Sequence, residues 1–279
     1  MQEVFCILTK DIYYNEHPMI SYKDFAVEFA YKAGNISKTN FLEAKNIEYK
    51  ADNTMVTDTD KAINTLLIQE VQKLFPDHSI QGEEESFIKS NSTFTWICDP
   101  VDGTHPFVNT IPVFTFWMAL LHNNEIILGV IYDPIMDRMY VAEKGLWAYC
   151  NNKPIHVSKQ TDMYNQYIAM YAGARWRSDR YDILDMQHEL RKEGKKTRDA
   201  ISIHYMGALT ASGNFMACLF AGKSNRDMAP ISILVKEAWG IVTDFWWNTE
   251  DYSQPVKWQI ASNGLVHDEL VEMVQKYLK

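Results

Sequence analysis

Residues 96–104 read Trp96-Ile97-Cys98-Asp99-Pro100-Val101-Asp102-Gly103-Thr104. An apolar run from Phe94 to Cys98 predicts a strand, and two carboxylates three positions apart follow it. A proline restricts the backbone after Asp99 and a glycine frees it after Asp102, so both side chains can point into one small volume just past the strand end. Such carboxylates repel each other unless one is protonated or a cation lies between them, and hard oxygen ligands favour Mg²⁺ or Mn²⁺ over zinc. The stretch therefore predicts the centre of a metal site.

The composition is that of a soluble globular protein large enough for one big domain or two lobes. The chain has 279 residues, of which 47% are hydrophobic and 23% charged. Its net charge of −9 argues against nucleic acid as a partner, because phosphate backbones select basic surfaces. The four cysteines form no CxxC pair, which favours reduced thiols in the cytoplasm over zinc or disulfides. We also expect no membrane partner, because no basic leader and no long apolar run occur.

Hydrophobic spacing predicts helices first and then a meander of strands. Ser21 is expected to cap a helix that runs to about Ala33 and ends at Gly34-Asn35. A second helix is expected from Asp58 or Thr59 to Pro76, with one apolar face. The segments 113–122 and 125–132 read as a hairpin with an Asn-rich turn, and short strands are expected at 138–142 and 147–150.

The second half of the chain alternates between strand and helix patterns. Strands are expected at 167–171, 201–205, 241–245 and 258–261, and helices at 181–193, 207–220, 227–239 and 265–278. This order fits a layered arrangement of helices and sheets. We expect one compact two-lobed unit, with an N-terminal lobe at 1–156, in which 1–20 is an extension or a first short element, and a C-terminal lobe at 157–279.

Four segments combine residues that suit chemistry, although each has a simpler interpretation when taken alone. Gly82-Glu83-Glu84-Glu85 is typical of a solvated acidic loop, and the stretch from Asp99 to Gly103 of a hydrogen-bonded turn. Thr57-Asp58-Thr59-Asp60 and Asn225-Arg226-Asp227-Met228-Ala229 are typical of capped helix starts.

Taken together, these segments resemble the inositol monophosphatase family, the Mg²⁺-dependent, lithium-sensitive phosphatase superfamily that also holds fructose bisphosphatases. The resemblance covers about residues 45–265 and is specific, because the central motif and the Gly-Glu-Glu motif occur in family order. Its parts are, in chain order, Lys50 ahead of Val56-Thr57-Asp58-Thr59-Asp60, Gly82-Glu83-Glu84-Glu85-Ser86, Asp99-Pro100-Val101-Asp102-Gly103-Thr104, Gly129-Val130-Ile131-Tyr132-Asp133-Pro134, Gly207-Ala208-Leu209, and Asp227-Met228-Ala229 followed by Val235-Lys236-Glu237-Ala238-Trp239-Gly240.

The resemblance implies an α+β fold, a layered α/β/α/β/α sandwich, and a phosphatase that binds two or three Mg²⁺ ions, with Mn²⁺ as an alternative. The implied ligands are four carboxylates, with Asp99 bridging two ions, and one backbone carbonyl: Glu83, Asp99, Asp102, Asp227 and the carbonyl of Val101. The family also suggests a homodimer that acts on a small phosphorylated metabolite.

The resemblance further assigns the catalytic and substrate-binding roles. Thr104 and Asp60 would form a hydrogen-bonded pair that orients the attacking water, with Glu83 assisting. The amides of Gly103 and Thr104 would bind phosphate at a helix start. Asp102 and Asp227 would also contact the substrate, and Lys50 would be a secondary charge beside the site.

Departures from the family pattern leave the substrate open. Arg226 stands where the family usually has Trp, and the loop before Asp227 is short and lacks the acidic residue that grips inositol hydroxyls. Arg226 or Lys223 would meet an anionic group, or they are solvated loop charges. His105 is either a substrate contact or a surface residue. Inositol monophosphate, histidinol phosphate, sugar phosphates and 3′-phosphoadenosine nucleotides are all candidate substrates, and a non-catalytic metal-binding relative is the alternative from another class.

Overall fold

The computed structural model describes residues 20–43, 46–51, 53–171, 183–199, 201–221, 227–249, 251–252 and 258–277. Within these ranges, helices and sheets alternate in five layers, each filled by apolar side chains from its neighbours. This is the predicted α/β/α/β/α sandwich.

Two long helices form the first outer layer. Helix α1 spans Tyr22–Phe41 and helix α2 spans Asp58–Leu74. Both begin where predicted, because Ser21 accepts a hydrogen bond from Asp24 N at 3.0 Å and Thr57 forms a capping box with Asp60. Their apolar faces pack against the first sheet in a core that includes Phe25, Phe29, Ile63, Leu67 and Trp96.

The first sheet has eight strands within the described residues. A small hairpin, β1 (Ile47–Tyr49) and β2 (Met55–Thr57), precedes it. The strands of the sheet are β3 (Ser79–Gly82), β4 (Ser86–Phe87), β5 (Phe94–Asp102), β6 (Thr115–His122), β7 (Glu125–Asp133), β8 (Arg138–Glu143), β9 (Ala148–Cys150) and β10 (Lys153–Pro154). Their spatial order is β10-β9-β8-β7-β6-β5-β3-β4. The predicted hairpin is confirmed as β6 and β7, with Asn123 and Asn124 in the left-handed conformation at its turn.

The second sheet has five strands in the described part of the chain. They are β11 (Ile168–Tyr171), β12 (Thr197–Asp199), β13 (Ala217–Ala221), β14 (Ile241–Thr243) and β15 (Trp258–Ser262), in the order β12-β11-β13-β15-β14. A short helix, α3 (Thr104–Val108), follows β5, and α4 (Ile183–Lys192) precedes β12. Helices α5 (Ile203–Ala211) and α6 (Ala229–Glu237) fill the layer between the sheets, whereas α4 and α7 (His267–Lys276) line the outer face of the second sheet.

Several sequence-based element assignments are wrong. Helix α1 continues past Gly34 to Phe41, because Gly34 is buried in the middle of the helix, where a Cβ would lie 2.2 Å from the Tyr132 ring. Residues 201–205 do not form a strand, because the Ser202 hydroxyl accepts from Tyr205 N at 3.2 Å and starts α5. The helix expected at 207–220 ends at Ala211, and its second half is strand β13.

The predicted lobe boundary at 156–157 falls just after the last strand of the first sheet. The division into two lobes remains a prediction. None of the helices in the described ranges combines the length and the hydrophobicity that crossing a membrane requires. The predicted extension at 1–20 lies almost entirely outside the described residues.

Candidate active site

A bulge in β5 brings Asp99 and Asp102 to one face of the first sheet. In a regular strand, residues three apart point to opposite faces. Here Asp99 pairs with Trp117 and Asp102 pairs with Thr115, so three steps along β5 match two steps along β6. Because Trp117 packs in the core between the sheets, both carboxylates face the middle layer. The strand therefore runs on to Asp102 rather than ending at Cys98, and the two carboxylates share one side as predicted.

Asp99 lies among other carboxylates. Its Oδ1 accepts a hydrogen bond from Val101 N at 2.8 Å. Burial raises the pKa of Asp99 well above its usual value, and nearby negative charges raise it further. Those charges belong to Glu83, Asp102, Asp60 and Asp227. The other carboxylates that the sequence assigns to the site therefore lie within electrostatic range of Asp99.

Asp102 is buried but well supplied with hydrogen-bond donors. Its Oδ2 accepts from the Ser202 hydroxyl, from His204 N at 3.1 Å and from Thr115 Oγ1 at 3.3 Å. His204 Nδ1 lies 3.3 Å from the other oxygen, Oδ1. Burial alone would raise the pKa of Asp102, but the charge of His204 and these hydrogen bonds lower it overall. Asp102 is therefore held as a carboxylate by the start of α5.

Glu83 follows β3 and is paired with a lysine. Lys50 Nζ lies 2.9 Å from Glu83 Oε1 and 2.8 Å from Glu84 Oε1. Burial alone would lower the pKa of Lys50, but the two glutamates raise it overall, so the side chain remains a cation. Asn64, one turn after Asp60 on α2, fastens this loop by donating to Glu85 O at 3.0 Å. Lys50 is thus beside the site, as the resemblance implied.

Asp60 is almost fully buried at the start of α2. Its Oδ2 accepts from Thr57 N at 2.9 Å and from the Thr57 hydroxyl, whereas its Oδ1 has no hydrogen-bond partner. Burial raises the pKa of Asp60 to about 7, with the charges of Glu84 and Glu83 adding to the effect and the Thr57 hydrogen bonds opposing it. An unpartnered buried oxygen leaves this carboxylate able to accept a further proton or hydrogen bond.

Thr104 begins α3 directly after Gly103, which adopts a left-handed conformation with φ of 90°. The Thr104 hydroxyl donates to Val101 O at 3.1 Å. The expected hydrogen bond between Thr104 and Asp60 is therefore not formed in this structure. The predicted helix start at Gly103 and Thr104 is present, and their role in phosphate binding remains a prediction.

Asp227 lies just before α6, and its backbone carbonyl accepts a hydrogen bond from His204 Nε2. Arg226 and Lys223, the two basic residues expected near the substrate, lie outside the described residues. His105 is exposed on α3, where its backbone carbonyl accepts from Asn109 Nδ2 at 2.8 Å. Tyr171, at the end of β11, is close enough to Asp102 and Asp227 for their charges to raise its pKa, although burial is the larger cause.

The donor set fits a hard divalent cation. It consists of carboxylates and one backbone carbonyl, which are the hard oxygen ligands that Mg²⁺ prefers. No group of three or more His, Cys, Asp or Glu side chains within the described ranges is close enough together to hold an ion as the side chains stand. Glu83, for example, is paired with Lys50 instead.

Sequence reasoning missed three residues that support the site: Asn64, Ser202 and His204. Asn64 follows Asp60 by four positions, and this helical spacing is a signal that could have placed both on one face of α2. Ser202 and His204 were assigned to a strand, so no pattern brought them to Asp102.

The comparisons with known proteins agree with this fold. The sequence profile of the inositol monophosphatase family matches residues 20–279. The chain therefore belongs to the inositol monophosphatase family, whose members are phosphatases that hydrolyse phosphate monoesters, and it is an enzyme of that class.

Individual relatives span almost the whole chain. A fructose-1,6-bisphosphatase/inositol-1-monophosphatase from Thermotoga maritima is 30% identical over 257 residues, which is 92% of this chain and 96% of the relative. The solved structure of Thermotoga maritima IMPase is 29% identical and superposes with a TM-score of 0.83, covering 91% of this chain and 96% of that one. A solved IMPase/NADP phosphatase, 22% identical with a TM-score of 0.76 and covering 89% and 94%, shares the fold, and its crystals contained Mg²⁺ and phosphate.

Proposed function

We propose that this protein is a Mg²⁺-dependent phosphomonoesterase that acts on a small phosphorylated metabolite. The observation that carries the proposal is the gathering of carboxylates around Asp99, whose pKa is raised by burial and by four neighbouring acidic groups. Such a cluster needs protons or cations to be stable at neutral pH. When bound, Mg²⁺ would polarise the attacking water and neutralise charge on the phosphate.

The residues that would hold the ions are Glu83, Asp99, Asp102, Asp227 and the carbonyl of Val101. Two or three Mg²⁺ ions are proposed, with Asp99 shared between two of them and Mn²⁺ as an alternative. Asp99 and Asp102 already face the same layer. Glu83 would exchange part of its ion pair with Lys50 for the metal, which its exposed position allows.

Asp60, Thr104 and Glu83 would position the attacking water. Asp60 Oδ1 is buried without a partner, and Thr104 needs only a side-chain rotation to turn its hydroxyl from Val101 O toward a water. The backbone N–H groups of Gly103 and Thr104 would donate to the phosphate oxygens. These groups act by positioning and by charge stabilisation, which are the main needs of phosphate ester cleavage.

An inositol monophosphate-like compound is the first substrate to test. Histidinol phosphate, sugar phosphates and 3′-phosphoadenosine nucleotides are the alternatives, because the short loop before Asp227 lacks an acidic residue and carries Arg226. Asp102 and Asp227 would contact the substrate as well as the metal, and Arg226 would meet a second anionic group. We also propose a cytoplasmic homodimer.

Phosphate release from a panel of these esters, first with Mg²⁺ and then with EDTA, tests the proposal. Release that requires Mg²⁺ is expected from at least one ester. Asp99→Asn keeps the size of the side chain but removes a shared ligand charge, so its turnover should be abolished and its affinity for Mg²⁺ weakened while the fold stays intact.

Two outcomes would contradict parts of the proposal. Full activity of Asp99→Asn would refute the shared-ligand role. Silence across the panel from a folded wild-type protein that binds Mg²⁺ would move the assignment to an untested substrate or to the non-catalytic metal-binding alternative.

A further inference from the structure

We propose that His204 is a positioning residue that ties Asp102, on the first sheet, to the chain at Asp227, in front of α6. The inference rests on the proposed function, because its consequence is the placement of two proposed metal ligands. Asp102 lies on β5 and Asp227 lies just before α6, and these two elements belong to different layers. A group between the layers is therefore needed to fix the two ligands relative to each other.

The first connection joins His204 to Asp102. His204 N donates to Asp102 Oδ2 at 3.1 Å. His204 Nδ1 lies 3.3 Å from the other oxygen, Oδ1, which is ion-pair distance, but it makes no hydrogen bond there. Ser202, two residues earlier, donates its hydroxyl to the same Oδ2. The start of α5 thus fixes the orientation of the carboxylate plane.

The second connection joins His204 to Asp227. A carbonyl oxygen only accepts hydrogen bonds, so His204 Nε2 must carry the hydrogen that meets Asp227 O. The imidazole therefore spans the distance between the two acidic residues, with one nitrogen facing each. Through this bond, the ring holds the backbone from which the Asp227 carboxylate extends.

The third contact fixes the ring itself. The Trp117 indole stacks on the imidazole, with ring centroids 4.5 Å apart and an angle of 24° between the planes. His204 is only 2% exposed and Trp117 also 2%, so the ring has little freedom to turn. Groups that orient metal ligands in this way typically contribute 10- to 100-fold to metal affinity or activity.

Calorimetric titration of the full-length protein with Mg²⁺, together with steady-state kinetics, tests the inference. His204→Ala should weaken Mg²⁺ binding by about 10- to 100-fold and lower kcat by a similar factor. His204→Gln retains an N–H donor near the position of Nε2, so its affinity should lie closer to that of the wild type. The thermal melting temperature in EDTA is recorded for each variant.

His267→Gln is the matched control. His267 is another fully buried histidine, and its ring nitrogens lie 2.8 Å from Thr243 Oγ1 and 2.8 Å from Ser262 Oγ, on α7 at the far side of the second sheet. It should lose stability without any change in Mg²⁺ affinity. If His204→Ala does not fold, the comparison of His204→Gln with His204→Asn, which has no donor near Nε2, takes its place.

The outcomes separate the two proposals. Unchanged Mg²⁺ affinity and kcat in a folded His204→Ala, beside an active wild type, overturns the positioning role and leaves the proposed function standing. The positioning role is also overturned if His204→Gln and His204→Ala lose Mg²⁺ affinity equally and only in proportion to their loss of thermal stability. A wild type that neither binds Mg²⁺ nor releases phosphate overturns both proposals.

Discussion

Asp60 is a buried acid that destabilises the folded protein by an amount that depends on pH. In the unfolded chain its pKa is near 3.8, whereas in the folded protein it is about 7. Between these two pKa values, Asp60 is ionised in the unfolded chain but still protonated in the folded protein. The free energy of unfolding therefore falls as pH rises through this range. Above pH 7 the full cost is reached, on the order of 4 kcal/mol.

Asp60→Asn should therefore stabilise the protein in EDTA at pH 8 by several kcal/mol, and the gain should vanish near pH 4. The Asn side-chain oxygen still accepts from Thr57 N, so the cap of α2 is kept. Chemical denaturation at pH 8, 6 and 4.5 measures the difference. Asp77→Asn, at a side chain that is 92% exposed, should match the wild type throughout. A gain that does not depend on pH would contradict the assigned cause.

At the level of residues, the acidic groups that the sequence singles out lie within electrostatic range of one another, and their role as ligands remains a prediction. The residues that support them were missed. The motif around Asp99 and Asp102 places two carboxylates and a glycine within nine residues, and it indicates a metal site once the other acidic motifs are considered with it. His204 has no such local signal. Its role depends on a carboxylate about a hundred positions earlier, and only the folded chain brings the two together.

Helix α1 shows why an element can run through residues that normally end it. Gly34-Asn35 reads as a terminator, yet Gly34 is buried against the Tyr132 ring and Pro134, and the helix gains from the close approach of β7. The same reasoning explains α5, where alternating apolar residues suggested a strand until the cap by Ser202 decided for a helix. Tertiary contacts and caps, not propensity, fixed these boundaries.

Gly34→Ala should destabilise the protein, although alanine is the better helix former by about 1 kcal/mol. The new Cβ would lie 2.2 Å from Tyr132 Cε1, and overpacking of this kind typically costs about 1–3 kcal/mol. The free energy of unfolding from urea denaturation measures the balance. Asn35→Ala, on the exposed side of the same helix, should instead be neutral or slightly stabilising. A more stable Gly34→Ala would mean that Tyr132 moves aside freely.

At the scale of the whole molecule, the sequence pattern predicts a layered arrangement, and the family resemblance supplies the order of the layers. The alternation of patterns along the chain indicates stacked helices and sheets, and the three hydrophobic cores confirm that arrangement. The proposed ligands come from the loop after β3, from β5 and from the segment before α6. A metal bound by all three would hold separate parts of the molecule together.

Mg²⁺ should therefore raise the melting temperature. A ligand that binds only the folded state stabilises it by about 2.7 kcal/mol at 100 times its Kd. Asp227→Asn should lose most of this gain while melting in EDTA at or above the wild-type temperature, since a charge near Asp99 is removed. Differential scanning calorimetry with and without Mg²⁺ measures both. An equal shift in Asp227→Asn and wild type would place the ion elsewhere.

The bulge in β5 frees a backbone carbonyl, that of Val101, from pairing with β6. Two carboxylates separated by one residue would already share a face of a regular strand. The additional residue instead leaves Val101 without a paired residue on β6, and its carbonyl meets the Thr104 hydroxyl. A single substitution can remove any of the carboxylate side chains, but it cannot remove a backbone carbonyl oxygen. The proposed Val101 ligand therefore depends on the number of residues in β5 rather than on which side chain stands at position 101.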